Sequence, residues 1–269
     1  MNELAKTPVE LDKASCAAKQ TVQPTSRSLR GLDWLNFFLA DVQTGVGPFL
    51  AIYPAGYGWN EERVGLALTV GGIAGILAQT PAGALVDQVH RKRTLIATGI
   101  GALALGALLV AFVPTFWLVM SAQILIGGTS SIFGPAICAI SLGIVGHHLF
   151  DARQGRNQSF NSAGNVVAAV SMGLLGYFVS NRSIFFFVAV CTLPTLFALR
   201  NIRADEIDYE RARGAREDAR DGKPVGAAVL LKERPLVIFL ICAVMFHFAN
   251  AAMLPLLGEC WPRVMDEAQ

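Results

Sequence analysis

Apolar residues run in seven long blocks between Leu32 and Leu257, with most charged residues confined to the gaps between them. A stretch of about 18 or more residues with few or no charges is the length signal of a membrane helix. The blocks predict spans at 32–53, 64–86, 95–113, 116–146, 160–180, 183–199 and 235–258. Within them the polar positions do not recur with the period of a solvated helix face, which excludes an ordinary soluble bundle. The fold class that follows is an all-α integral membrane protein.

Composition agrees, with 53% hydrophobic and 16% charged residues and a mean hydropathy of +0.48. The placement of charge adds orientation. Lys6, Lys13, Lys19, Arg27 and Arg30, then Arg91, Lys92 and Arg93, then Arg153 and Arg156, then the run from Arg200 to Arg234 all fall on one side of the predicted spans. Only Arg63, Arg182 and Arg263 fall on the other. Short cytoplasmic loops carry the excess of Lys and Arg, so the N-terminus is expected inside, in a plasma or inner membrane, and the C-terminal tail outside. Trp34, Trp59, Trp117 and Trp261 sit at span edges, where amphipathic rings prefer the headgroup level. A net charge of +2 then reflects loops that face anionic lipid, and no nucleic-acid partner is implied.

Chemistry-bearing motifs are sparse. Cys16, Cys138, Cys191, Cys242 and Cys260 are scattered singly, without the close spacing of zinc or redox sites, and no cofactor is expected. Residues 1–30 are polar and lack the apolar core of a signal peptide, so they read as a flexible cytoplasmic tail. The triplets at Asn157 and Asn181 have the form of glycosylation acceptors, but the first lies on the cytoplasmic side of the map and both read as chance. No His-Glu-x-x-His helix, Gly-x-Ser-x-Gly elbow or paired membrane aspartates are present, which argues against an enzyme.

The organisation expected is a tail at 1–30, a six-helix bundle at 31–200, a charged linker at 201–234, a seventh span at 235–258 and a short tail at 259–269. Residues 203–221 of the linker read at best as a surface helix. Six spans, a linker and one more span suggest one half of a larger protein plus the start of another, so the chain reads as a fragment. Internal echoes point the same way. Gln43 to Phe49 and Ser130 to Ala136 each place small polar residues before a Gly-Pro step on oppositely directed spans, as an inverted repeat would. Phe37 to Asp41 is echoed by Phe246 to Asn250 in the seventh span. Gly71, Gly72, Gly75, Gly83, Gly99, Gly101 and Gly106 read as places where helix backbones approach closely.

The loop from Gly83 through Asp87 to Arg91, Lys92 and Arg93 resembles the signature Gly-x-Leu-Ala-Asp-Arg-x-Gly-Arg-Arg between spans two and three of the major facilitator superfamily. The resemblance covers residues 30–260. It implies two six-helix bundles joined by a cytoplasmic linker, and solute transport by alternating access. It makes Gly83 a close helix contact, Asp87 a gating acid that pairs with basic groups and a helix N-terminus, and Arg91 and Lys92 the basic positions. The chain departs from the signature at Gln88, where the family has a basic residue, and at His90, where it has glycine. Gln123 stands four residues before Gly127 where many proton-coupled members carry arginine, and the antiporter Gly-Pro pattern is missing from Asn161 to Ser180. Drug/proton antiport is weakened by both.

Asp41 is the residue expected to carry proton coupling, because a carboxylate inside an apolar span is costly and normally faces a cavity or a partner. Asn36, Gln43, Gln79, Gln123, Asn161, Asn165, His247 and Asn250 are the polar residues that could line the same path. Asp33, beside Trp34, reads as a helix-start residue at the interface, and Arg153 to Arg156 as helix-end capping and lipid contact. The function expected is secondary transport of a small solute, with protons as the coupling ion. The rival is a seven-helix membrane protein that does not transport, receptor-like or an inactive truncation product.

Overall fold

The computed structural model describes residues 24–44, 58–113, 115–214 and 233–251. Among them the regular elements are helical: α1 (Ser26–Thr44), α2 (Glu61–Gln88), α3 (Lys92–Phe112), α4 (Phe116–Phe178), α5 (Asn181–Asn201) and α6 (Arg234–Ala251). Two single 3-10 turns, Ala204–Glu206 and Arg211–Arg213, follow α5. The chain divides into two units, the first ending at Ala215 and the second containing α6. The second unit is described by itself as one apolar helix with most of its side chains exposed.

Helix α4 holds two predicted spans. A straight α-helix rises 1.5 Å per residue, so side chains 16 residues apart would lie about 24 Å apart. Instead Gln154 Nε2 donates to Cys138 Sγ at 3.1 Å and Asn157 Nδ2 donates to Ser141 Oγ at 2.9 Å. The helix therefore folds back on itself, and the break is Gly146, whose φ of 71° and ψ of 176° suit only a residue without Cβ. The limbs are 116–145 and 147–178. The sequence placed a loop at 147–159 and began the fifth span at 160; helix runs through this polar stretch, because its side chains find partners on α1 and on the first limb. Polar caps mark other ends: the Asn60 side chain accepts from the Arg63 amide at 3.1 Å at the start of α2, and Ser180 from the Ser183 amide at 3.2 Å at the start of α5.

The first unit packs around α4, which touches every other helix of the unit. Leu32, Leu35 and Leu39 of α1, Ile96, Ile100 and Leu103 of α3, Phe133 and Ile140 of the first limb, Met172 of the second and Phe185 of α5 form its sealed interior. Two crossings are too close for a side chain. A Cβ on Gly127 would strike the Gly71 carbonyl on α2, and one on Gly164 would strike the Phe37 carbonyl on α1. Such contacts let helices pack where lipid offers no hydrophobic drive.

Polarity is reversed relative to a soluble protein. Ile76, Leu77, Val170 and Phe197 are largely exposed, whereas Asp33, Lys92, Arg153 and Glu206 are buried. Helices α2, α3, α4 and α5 are each long and apolar enough to cross a membrane. An apolar outer surface is what hydrocarbon requires, and buried ions are tolerated only where protein groups pair them.

The described stretch after α5, residues 203–214, is no surface helix; residues 215–221 lie outside the described residues. Ile207 and Ala212 are buried, and the Asp208 amide donates to the Gly143 carbonyl at 3.1 Å, in space left by the missing Gly143 side chain. Glu206 accepts from the Thr25 amide and hydroxyl at 3.1 and 2.9 Å, Arg203 Nε lies 3.5 Å from it, and Arg213 Nε donates to the Asp87 carbonyl at 2.9 Å. The linker thus begins as a strap across the end of the bundle that carries the basic residues. Burial raises the Glu206 pKa, but hydrogen bonds from Ser28 and Thr25 and the charge of Arg203 outweigh it, and the net shift is downward.

Candidate functional site

Asp41 lies in the last turn of α1, three residues before Thr44; it is 3% exposed, next to Ala40, where α1 crosses the second limb of α4 at Gly164. Its Oδ1 is buried with no hydrogen-bond partner among the described residues. Cys191 of α5 lies within electrostatic reach of it. The buried hydroxyls of α5 do not serve it: Thr192 donates to the Ala189 carbonyl at 2.6 Å and Thr195 to the Cys191 carbonyl at 2.7 Å. Chemically, a buried carboxylate with a free oxygen can accept a proton or a donor group from a solute.

The other polar residues do not all gather around it. Asn36 is buried and donates to the Leu32 carbonyl of its own helix at 2.8 Å. Gln43 is half-buried and Gln79 is exposed. Gln123 is buried where α2 crosses the first limb, its Nε2 3.5 Å from the Ala67 carbonyl and its Oε1 without a partner. Asn165 Nδ2 donates to Asn161 Oδ1 at 3.2 Å, both half-buried on the second limb. His247 is exposed on α6, in the separate unit, and the Asn250 side chain lies outside the described residues.

In the loop between α2 and α3, a Cβ on Gly83 would meet nothing within 4 Å among the described residues, so no helix of the first unit makes the close contact there. Asp87 and Arg91 are exposed. Lys92, by contrast, is 1% exposed, and its Nζ donates to the Val86 carbonyl at 2.5 Å, with the Val89 carbonyl 3.5 Å away. An ammonium placed on the last carbonyls of a helix satisfies groups that have no intrahelical donor and complements the dipole. Lys92 therefore clamps the end of α2 to the start of α3.

Sequence reasoning missed the ionic cluster that is largest among the described residues. Asp33 is buried, not interfacial, and its carboxylate receives two arginines from the second limb. Arg153 donates to Oδ1, while Arg156 Nε and Nη2 reach Oδ2 at 3.0 and 2.9 Å. Arg153 is itself buried and donates to Asn157 Oδ1 at 2.8 Å, and Asn157 donates to Ser141 on the first limb. One network thereby joins α1 to both limbs of α4. The signal was available as an acid at the end of a span with two arginines in a later loop on the same side, but 120 residues separate Asp33 from Arg153.

With this architecture in view, the comparisons with known proteins are decisive. The sequence profile described as Major Facilitator Superfamily matches residues 33–259. The chain belongs to the major facilitator superfamily. Two uncharacterized MFS-type transporters of Mycobacterium tuberculosis, from strains CDC 1551 / Oshkosh and ATCC 25618 / H37Rv, are each 42% identical to it over 236 residues, 87% of this chain and 56% of the relative. The chain thus spans about half the length of the curated relatives it matches. Two crystal structures of a mutant peptide transporter POT, with sulfate and with alafosfalin, share the fold. Their TM-scores are 0.57 and 0.56 at 16% identity, covering 86% and 88% of this chain and 46% and 49% of theirs. At that identity the likeness speaks for the fold alone. This superfamily member is a multi-pass membrane protein, and its relatives are named as transporters, not enzymes.

Proposed function

We propose that this superfamily member works as the N-terminal bundle, linker and seventh helix of a secondary transporter that moves a small solute by alternating access, with protons coupled through Asp41. The observation that carries the reading is the buried, unpartnered Oδ1 of Asp41 in a bundle whose other buried charged groups, Asp33, Lys92, Arg153 and Glu206, all have hydrogen-bond partners. A carboxylate oxygen left without a donor inside a membrane bundle costs stability, and such a cost persists where it serves a function. The basic end faces the cytoplasm on the charge rule, in a plasma or inner membrane. Residues 31–200 form the bundle, 201–234 the linker and 235–258 the seventh span. Gln43, Gln123, Asn161 and Asn165 contribute polar surface of the first bundle, His247 and Asn250 that of the seventh span, and Asp87, Arg91 and Lys92 the gating loop.

The test is proton flux. Proteoliposomes containing the protein and an internal pH-sensitive dye are challenged in turn with sugars, organic acids and cationic drugs. One class should drive proton movement, and Asp41→Asn should abolish it while membrane insertion is retained. Coupled flux that survives in Asp41→Asn removes Asp41 from the mechanism. Absence of flux with every class removes proton-coupled transport by this chain.

A further inference from the structure

The flank formed by α3 and α5 at the basic end has a feature that the solute path does not use. An open cavity of about 590 Å³ lies between the start of α3 and the end of α5, closed at one side by the linker. Arg91, Arg93, Arg200 and the linker's Tyr209 line it, and among the described residues no carboxylate does. Arg93 Nη2 reaches the Arg200 carbonyl at 3.4 Å, while its Nε is buried with no hydrogen-bond partner among the described residues. Asp205, in the linker beside the cavity, is already held by Arg203 at 2.6 Å. Three guanidinium groups sharing one recess repel one another, and an anion placed among them would relieve that repulsion and satisfy the idle donor.

The walls say which anion. Ala97 of α3 and Leu196 of α5 form the apolar side of the cavity. Over the next two turns of α3 and one turn of α5 the exposed residues are Gly101, Leu105 and Leu193, together with Thr98, whose hydroxyl is turned onto the Leu95 carbonyl at 2.9 Å. A charged head at the membrane surface thus continues into a groove suited to hydrocarbon. Basic pockets between membrane helices at the cytoplasmic face are suited to acidic lipid headgroups. We propose that this cavity binds the phosphate headgroup of an anionic phospholipid, with an acyl chain lying along the α3–α5 groove. The site requires only that the chain sits in a membrane, and although Arg91 is shared with the gating loop, lipid retention is read without solute transport and without Asp41.

Native mass spectrometry of the full 269-residue chain, offered equal amounts of phosphatidylglycerol and phosphatidylcholine, tests it. One phosphatidylglycerol should be retained in preference to phosphatidylcholine by about tenfold or more. Each arginine near an anionic surface contributes about 1 kcal/mol, so Arg91→Gln should weaken retention about fivefold. Because the Arg91 side chain is exposed, this single change leaves the packing intact. The triple variant Arg91→Gln, Arg93→Gln, Arg200→Gln should fall to the phosphatidylcholine level, whereas Arg63→Gln at the opposite end of α2 should change nothing. Equal retention of the two lipids, or wild-type retention in Arg91→Gln, overturns the proposal. Displacement of the lipid by millimolar inorganic phosphate would make the free anion the ligand and overturn the lipid reading as well.

Discussion

Asp33 and Asp41 stand eight residues apart on α1, about 12 Å along its axis, and both are shut off from solvent, at 2% and 3% exposure. Asp33 is met by Arg153 and by the fork of Arg156, and its partners are tied onward through Asn157 to Ser141. Asp41 Oδ1 is buried with no hydrogen-bond partner among the described residues. The same side chain on the same helix is thus fastened at the basic end and unfastened one and a half nanometres or less further in. Burial alone does not assign a role to a membrane carboxylate; the state of its lone pairs does.

The comparison breaks first at Asp33. Replacing it with alanine leaves the buried Arg153 guanidinium without its counter-charge, and loss of one partner from such a pair costs about 3–5 kcal/mol. Asp33→Ala should therefore lower the thermal midpoint of the purified protein in detergent markedly, or prevent its accumulation in the membrane. An unchanged midpoint would mean that Asn157 and the Leu29 carbonyl, 3.4 Å from Arg153 Nη1, carry that charge unaided.

Glu206 extends the fastened region into the linker, with a smaller expected effect. Its folded pKa is depressed, so its contribution is fully present above the usual glutamate value of 4.5 and is lost as pH falls through the lower folded value. Acidification below about pH 4.5 should release the strap, read as faster hydrogen exchange of residues 204–214. Glu206→Gln should loosen the same segment at neutral pH, by about 2 kcal/mol for the loss of charge-assisted bonds to Thr25, and remove the pH response. Uniform exchange across this pH range would show that Ile207 and Ala212 alone hold the strap. Arg156→Gln comes next: Arg156 is exposed although it bonds a buried acid, so its loss should shift the thermal midpoint far less than Asp33→Ala. An equal shift would place the weight of the pair on Arg156.

How much of this could be read from the chain follows from the range of each interaction. Apolar runs are local, so spans two, three, four and six were predicted within a few residues of helices α2, α3, the first limb of α4 and α5. Asp41 stood out because an acid in an apolar run is visible without knowing its neighbours. Asp33 was misplaced because Trp34 beside it signals an interface, whereas the arginines that decide its fate come from a segment more than a hundred residues later. The polar stretch after Gly146 looked like a loop for the same reason: its helix is held by Arg153, Gln154 and Asn157 reaching other elements, and periodicity carries no trace of that. Lys92 belonged to a recognisable signature, yet nothing in the signature says that its ammonium turns inward onto the Val86 carbonyl. The linker's charge suggested a solvated helix, and only the absent side chain of Gly143 makes room for it to dock.

The smallest expected effect on stability is also the sharpest test of the contrast. If Asp41 is unfastened, Asp41→Asn removes no bond to Oδ1 and replaces a costly buried carboxylate with a neutral amide. Side-chain hydrogen bonds between membrane helices average about 0.6 kcal/mol, so a new amide contact or the loss of a weak one should keep the change within about 1 kcal/mol. The thermal midpoint of Asp41→Asn should therefore match or slightly exceed that of the wild type, while coupled flux disappears. A destabilisation as large as that of Asp33→Ala would mean that Asp41 has a structural partner after all, and loss of flux in that variant could then be read as damage to the bundle instead of loss of a proton carrier.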